Sequence, residues 1–147
     1  MLKHKIIGRN ISILYRSESN YTDKRIRNLN LSKIQVEILL FIKENPETNL
    51  KEINNYFKFN KATITKIVKH LVSEGYVEFF INSMDKREKR LIITEKSKSL
   101  LPEIKKVFDV WEEIILKDIS EEDIEITRNV MAQMVKNMSL IKEENNE

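Results

Sequence analysis

The sequence predicts a mainly α-helical chain that carries one small β-wing and has helices at both ends without a local partner. Three observations predict this class. Lys61 to Glu74 places Ile64, Ile67, Val68, Leu71 and Val72 at the i, i+3, i+4, i+7, i+8 spacing of a helix buried on one side. Directly after it, Val77 to Ile81 and Arg90 to Thr94 read as two strands joined by the polar, basic tip Asn82 to Lys89. Apolar stripes at helical spacing also run through residues 2–15 and 124–141, where nothing nearby in sequence covers them.

Composition narrows the function before any motif is read. The chain has 147 residues, 41% hydrophobic and 33% charged, which suits one helical domain that leaves apolar surface for a partner. No apolar run approaches the roughly 18 residues of a membrane span. Lys3, His4, Lys5 and Arg9 interrupt the N-terminus where a signal peptide needs an unbroken apolar core, so the expectation is a cytoplasmic protein with no membrane association. The absence of cysteine excludes disulfides, thiolate metal sites and thiol redox switches. His4 and His70 are too few and too far apart for a dedicated metal site, and no cofactor is expected. Gly8 and Gly75 are the only glycines, so a phosphate-cradling loop or dinucleotide fingerprint is excluded. The carboxylate pairs Glu112 with Glu113 and Glu121 with Glu122 are helix neighbours that diverge in direction, and an enzyme is not expected.

The net charge of +3 conceals an uneven arrangement. Residues 1–30 carry seven basic and two acidic groups, residues 31–94 eleven and eight, and residues 95–147 eight and thirteen. Between residues 58 and 90 there are eight basic and four acidic side chains, gathered on one helix face and the hairpin tip, a distribution that suits a polyanion. A solvated surface is the alternative reading of such a run.

The elements follow in order. Residues 2 to about 27 form a helix with Leu2, Ile6, Ile7, Ile11, Leu14 and Tyr15 as its stripe, followed by a polar half with little to bury. Leu31, Ser32, Gln35 and Val36 stand at N′, N-cap, N3 and N4, a capping box combined with a hydrophobic staple. Ile34, Ile38, Leu39, Phe41 and Ile42 make that helix part of the core, and it must stop near Glu44 because Pro46 disfavours a helical Asn45. Asn49 and Glu52 open a third helix of about two turns, with Leu50, Ile53, Tyr56 and Phe57 on its buried side. Asn60 caps the fourth, whose opposite face carries Ala62, Thr65, Lys66 and Lys69. Gly75 takes the left-handed conformation that ends it, and Tyr76 packs back on Leu71. In the first strand Val77, Phe79 and Ile81 point inward.

Beyond the hairpin, Thr94 caps a long helix bearing Leu100, Leu101, Ile104, Val107, Phe108, Trp111, Ile114 and Ile115, which Pro102 should kink or split. Ile119, Ser120, Asp123 and Ile124 repeat the capping box and staple before a last helix with Ile124, Val130, Met131, Met134, Val135, Met138 and Ile141. Its methionine-rich stripe suits a core or subunit interface, with a ligand surface as the alternative. Glu143 to Glu147 should be loose.

The third helix, a tight link through Lys58 and Phe59, and the fourth helix make a helix-turn-helix, in which the second helix offers its polar face to the DNA major groove. The run LKEINNYFKFNKATITKIVKHLVSEGYVE, followed by SMDKREKRLIITEKS, resembles the winged helix-turn-helix of the MarR family of bacterial transcription regulators. The Leu31-Ser-x-x-Gln35 opening, the Asp85-x-Arg87 pair at the tip and the Leu91-x-x-Thr94-Glu-Lys exit carry the resemblance, which is sharp from Leu31 to Lys96. Lys58 and Ser97 depart from it, standing where that family often has glycine, so the helix end at Lys58 must accept a strained or altered geometry.

The resemblance implies a fold in which residues 1–30 and 97–147 form a helical dimerisation region around the winged helix-turn-helix of residues 31–96. It implies a homodimeric, sequence-specific regulator of double-stranded DNA, a repressor on an inverted-repeat operator. A small aromatic or apolar effector, if one is sensed, would lodge between wing domain and dimer helices, with Tyr15, Phe41, Phe108 and Trp111 as wall residues. The expected DNA-binding residues are Lys61, Ala62, Thr63, Thr65, Lys66 and Lys69 on the helix, and Asp85, Arg87, Lys89 and Arg90 in the wing. Thr65 and Lys66 are central enough to reach base edges, whereas Lys69 is placed for a phosphate. Asp85 would pair with Arg87 or Arg90. The rival reading is a nucleoid-associated or protein-interaction helical module without sequence preference.

Overall fold

The computed structural model describes residues 4–81, 84 and 87–144. In chain order these form α1 (His4–Ile26), a 3₁₀ turn (Arg27–Leu29), α2 (Lys33–Glu44), α3 (Leu50–Phe57), α4 (Lys61–Ser73), β1 (Val77–Ile81), β2 (Lys89–Ile93), α5 (Glu95–Ile115) and α6 (Glu121–Glu144). The chain divides into two compact units, Met1–Trp111 and Glu112–Glu147, so α1 and most of α5 belong with the helix-turn-helix and hairpin.

Helix ends in the first unit are set by local hydrogen bonds. The Ser32 hydroxyl accepts from the Gln35 N–H at 3.4 Å while the Gln35 side chain accepts from the Ser32 N–H at 2.9 Å, and the staple pair Leu31 and Val36 is buried. The Asn49 side chain accepts from the Glu52 N–H at 2.9 Å and Glu52 reaches back to the Asn49 N–H at 3.1 Å. At the end of α3, Lys58 takes the left-handed conformation, φ 59° and ψ 26°, and donates its N–H to Asn54 O at 2.9 Å. The lysine thus adopts the geometry that a glycine would supply, at a cost of about 1–2 kcal/mol. α4 ends in a Schellman motif, with Gly75 at φ 75°, Gly75 N–H on Val72 O at 3.0 Å and Tyr76 N–H on Leu71 O at 2.9 Å.

Ile38, Leu39, Ile42, Ile53, Ile64, Val68, Leu71, Leu91, Leu101 and Ile104 fill the core beneath these elements. The hairpin is antiparallel, with Val77 opposite Ile93, Phe79 opposite Leu91 and Ile81 opposite Lys89. Its base is tied to the α2–α3 turn, where Leu91 N–H donates to Thr48 O at 2.8 Å. Thr94 then caps α5, accepting from the Ser97 N–H at 3.4 Å, while its hydroxyl donates to Gly75 O at 2.7 Å. Ser97, the second departure from glycine, is fully buried and donates its hydroxyl to Tyr76 O.

Four expectations are corrected here. The polar half of α1 does bury residues: Thr22 and Ile26 are 0% and 1% exposed, and Tyr21 stacks on Trp111 at 5.4 Å. Tyr56 is 67% exposed, because α3 meets the core through Ile53 and Phe57, one residue round the helix from it. Ile81 is also exposed, standing at the distal end of the hairpin ladder opposite Lys89, beyond the buried pair position of Leu91. α5 continues through Pro102 unsplit. Pro102 and Lys98 lie on the exposed side, where water can take the carbonyl that the proline leaves without a donor, while Leu101 and Ile104 are held in the core.

In the second unit, α6 opens at Ser120, whose hydroxyl accepts from the Asp123 N–H at 3.1 Å and donates to the Asp123 carboxylate at 2.9 Å. The box therefore closes side chain to side chain and leaves the Ser120 N–H out. Ile126, Val130, Met131, Val135, Met138 and Ile141 are all exposed along α6. The helix persists to Glu144, so residues 143 and 144 are helical rather than loose, and residues 145–147 lie outside the described residues.

Candidate nucleic-acid interface

α4 is amphipathic because its sequence alternates two chemistries at one helical period. Ile64, Val68 and Leu71 are buried, and Lys61, Ala62, Thr65, Lys66 and Lys69 line one shallow concave surface on the opposite side. Of the six helix residues expected at DNA, Lys61, Ala62, Lys66 and Lys69 are exposed and Thr63 and Thr65 are half-buried. Asn60 fixes where this face begins, accepting from the Thr63 N–H at 2.8 Å. The Thr65 hydroxyl donates back to Lys61 O at 2.7 Å, so its proton is used within the helix and it presents a methyl group and acceptor lone pairs outward.

In the wing, Arg87 and Lys89 are exposed, and the Lys89 ammonium lies 5.7 Å from the centre of the Phe79 ring. Asp85 lies outside the described residues, and so does its expected pairing with Arg87 or Arg90. Arg90 is only partly exposed and is tied to the protein. It donates through Nη1 to Glu47 O at 2.8 Å and through Nη2 to Glu88 Oε2 at 2.8 Å, with Glu52 Oε1 at 3.9 Å from Nη1. The other oxygen of Glu88 accepts from Asn49 Nδ2 at 2.8 Å.

These bonds make the α2–α3 turn a polar junction. Glu52 also accepts the Thr48 hydroxyl at 2.7 Å. That hydrogen bond holds the Glu52 carboxyl below its ordinary value of 4.5; partial burial opposes it, and the Asn49 N–H and the Arg90 charge reinforce it. Because the folded value is depressed, the stability it contributes is present above pH 4.5 and is lost as pH falls below that point. The expected result is that the melting temperature of Glu52→Gln falls less steeply below pH 4.5 than that of the parent, measured by circular dichroism. Identical acid limbs would show that the junction carries no such linkage.

The four aromatics expected to wall an effector pocket are not gathered in one place. Tyr15 lines a groove with Ser19, Lys33, Ile34, Phe57 and Phe59. Phe41 lines a different concavity beside Tyr56, Glu52 and Arg90, with its ring 4.6 Å from that of Tyr56. Phe108 packs on the core and Trp111 stacks on Tyr21. The sequence reading missed Lys33, which sits in the Tyr15 groove 2.8 Å from Glu37 and 3.3 Å from Glu18. Burial alone would lower its pKa, but the Glu37 hydrogen bond and the charges of Glu37 and Glu18 together raise it above 10.5. It also missed Asn49 and Glu88 as wing partners. The capping role of Asn49 is legible locally, but no local pattern ties it to a residue 39 positions away.

Two short helices, a tight turn, a helix with one buried and one basic face, and a two-stranded hairpin after it define a winged helix-turn-helix protein. The sequence profile described as the MarR family matches residues 31–89. The chain is 25% identical over 142 residues to the HTH-type transcriptional regulator BilQ of Clostridioides difficile (strain CD3), covering 97% of this chain and 91% of that one. Among solved structures it is similar to a MarR protein from Peptoclostridium difficile DA00132, with 32% identity, a TM-score of 0.80, and 90% of this chain and 86% of that one covered. A putative MarR family regulator from Listeria monocytogenes, solved in complex with 26mer DNA, gives 25% identity, a TM-score of 0.81, and coverage of 88% and 87%. The chain belongs to the MarR family, and it is a DNA-binding transcriptional regulator rather than an enzyme. Among the described residues no helix is long and apolar enough to cross a membrane.

Proposed function

We propose that the protein is a cytoplasmic, homodimeric repressor that reads an inverted-repeat operator, with α4 in the major groove and the wing over the neighbouring minor groove. The observation that carries this reading is the division of α4 into a buried apolar face and an outward surface of Lys61, Ala62, Thr65, Lys66 and Lys69. Lys66 donates to guanine acceptors. Thr65, its proton already used, offers a methyl to thymine or a lone pair to an adenine or cytosine amino group. Lys61 and Lys69 hold phosphates, and Ala62 and Thr63 allow close approach of the helix to the groove floor. Arg87 and Lys89 act in the wing, and Asp85 orients Arg87. A small aromatic or apolar effector, where one acts, fits best in the Tyr15 groove, whose Phe57 ends α3 and whose Phe59 lies in the link between α3 and α4.

Selection of bound duplexes from a random library tests this reading. The expected product is an inverted repeat whose half-sites lie about 10 base pairs apart centre to centre. Its affinity should exceed that for random duplex by at least about 10³ at physiological salt. Equal affinity for all duplexes, lost uniformly with salt, would establish the rival reading of a helical module without sequence preference.

A further inference from the structure

We propose that Arg90 is a positioning residue, which with Glu88 and Asn49 clamps the base of the wing to the α2–α3 turn and sets where Arg87 and Lys89 stand over a bound duplex. The inference rests on the reading that the wing meets DNA. It departs from the expectation that Arg90 contacts DNA itself.

Three residues of the wing base, Glu88, Arg90 and Leu91, are bonded to three consecutive residues of the turn. Arg90 reaches Glu47 O, Leu91 N–H reaches Thr48 O and Glu88 accepts from the Asn49 side chain, each at 2.8 Å. The arginine fork is divided between two acceptors, one a backbone carbonyl and one a carboxylate, which a single lysine ammonium cannot reproduce in the same geometry. The Arg90 side chain is only 24% exposed and that of Glu88 32%, so the pair is held against the protein instead of projecting from it.

Asn49 gives the clamp its consequence. Its Nδ2 donates to Glu88 while its Oδ1 caps α3, the first helix of the helix-turn-helix. The wing is thereby referenced to the same turn that starts the frame carrying α4. Glu47, whose carbonyl takes the other half of the Arg90 fork, holds a left-handed φ of 66°, a conformation that side-chain-bearing residues rarely adopt. Glu88 would also repel phosphates if left unpaired, and the clamp answers that charge within the protein.

Fluorescence anisotropy on a selected operator, with Arg90→Ala, Arg90→Lys, Glu88→Gln and the Arg90→Ala/Glu88→Gln double variant, tests the proposal. A clamp predicts that all three single variants weaken binding about 10-fold or more and that the double variant is no weaker than Arg90→Ala, because one linkage has been removed in each. It also predicts an unchanged slope of log affinity against log salt, since no phosphate contact is lost. A direct DNA contact predicts the opposite set: Glu88→Gln binds more tightly, Arg90→Lys binds as the parent does, and Arg90→Ala lowers the salt slope by about one per half-site. That set overturns the proposal. Glu88→Gln preserves volume and serves as the second route if Arg90→Ala melts early. Arg87→Ala is the control for the underlying reading. If it binds as the parent does, the wing does not meet DNA. If it weakens binding while Arg90→Ala and Glu88→Gln do not, the clamp alone is wrong.

Discussion

Arg87→Ala is expected to weaken operator binding by about 1–3 kcal/mol per half-site, most strongly where the flanks are A·T-rich, with fold and dimer intact. Arg87 is exposed in the turn of the hairpin, where its guanidinium is at the protein surface. A narrow A·T minor groove has enhanced negative potential, and a planar guanidinium enters it with less loss of hydration than an ammonium does. Arg87→Lys should therefore also lose affinity. Asp85→Ala supplies the sharper sign. If the aspartate orients Arg87, removing this negative charge weakens binding, whereas a simple electrostatic footprint predicts tighter binding. Anisotropy with operators of A·T-rich and G·C-rich flanks measures all three. Tighter binding by Asp85→Ala together with a silent Arg87→Lys would reduce the tip to an ordinary charged loop.

The second large effect concerns assembly. Met131→Asp combined with Val135→Asp is expected to convert a two-fold dimer into monomers and to lower operator affinity by about 10²–10⁴, the advantage that linked half-site binding confers. Along α6, Val130, Met131, Val135, Met138 and Ile141 are each 47–58% exposed, a contiguous apolar stripe larger than a lone chain has reason to show to water. A carboxylate buried unpaired in such an interface costs several kcal/mol, enough to dissociate it. The α1 stripe makes an independent test, because Ile6, Ile7, Ile11 and Leu14 are exposed on a different helix and Ile11→Asp should act in the same direction. Sedimentation of the parent as a folded monomer at micromolar concentration would remove the dimer reading.

Much of the fold was legible in the sequence because its signals are short-range. Ser32 with Gln35, Asn49 with Glu52, Asn60 with Thr63, and Gly75 after Val72 are all hydrogen-bonded across three or four residues, and each helix end falls where those residues place it. The basic face of α4 was equally accessible, since a single helical period sorts Ile64, Val68 and Leu71 from Lys61, Lys66 and Lys69. The errors arose where neighbours are remote. Tyr56 and Phe57 were both assigned to the core by helical spacing, yet α3 is set by its contacts so that only Phe57 packs on the core and Tyr56 is exposed. Thr22 and Ile26 look like the end of a polar helix until the helix core and Trp111 are brought against that half of α1.

The sequence by itself determined the order of the elements, most of their caps, the basic face of α4 and the family, all of which depend on residues within one or two helical turns of each other or on a motif read along the chain. Tertiary structure alone decided which of several chemically equal cations are committed inside the protein. Lys89 and Arg90 are adjacent and carry the same charge, but Arg90 meets Glu47 across 43 positions and Lys89 stays at the surface. Composition and periodicity report what a side chain is and which face it occupies. They carry no information about which acceptor the rest of the chain will fold against it, because that depends on packing between segments far apart in sequence.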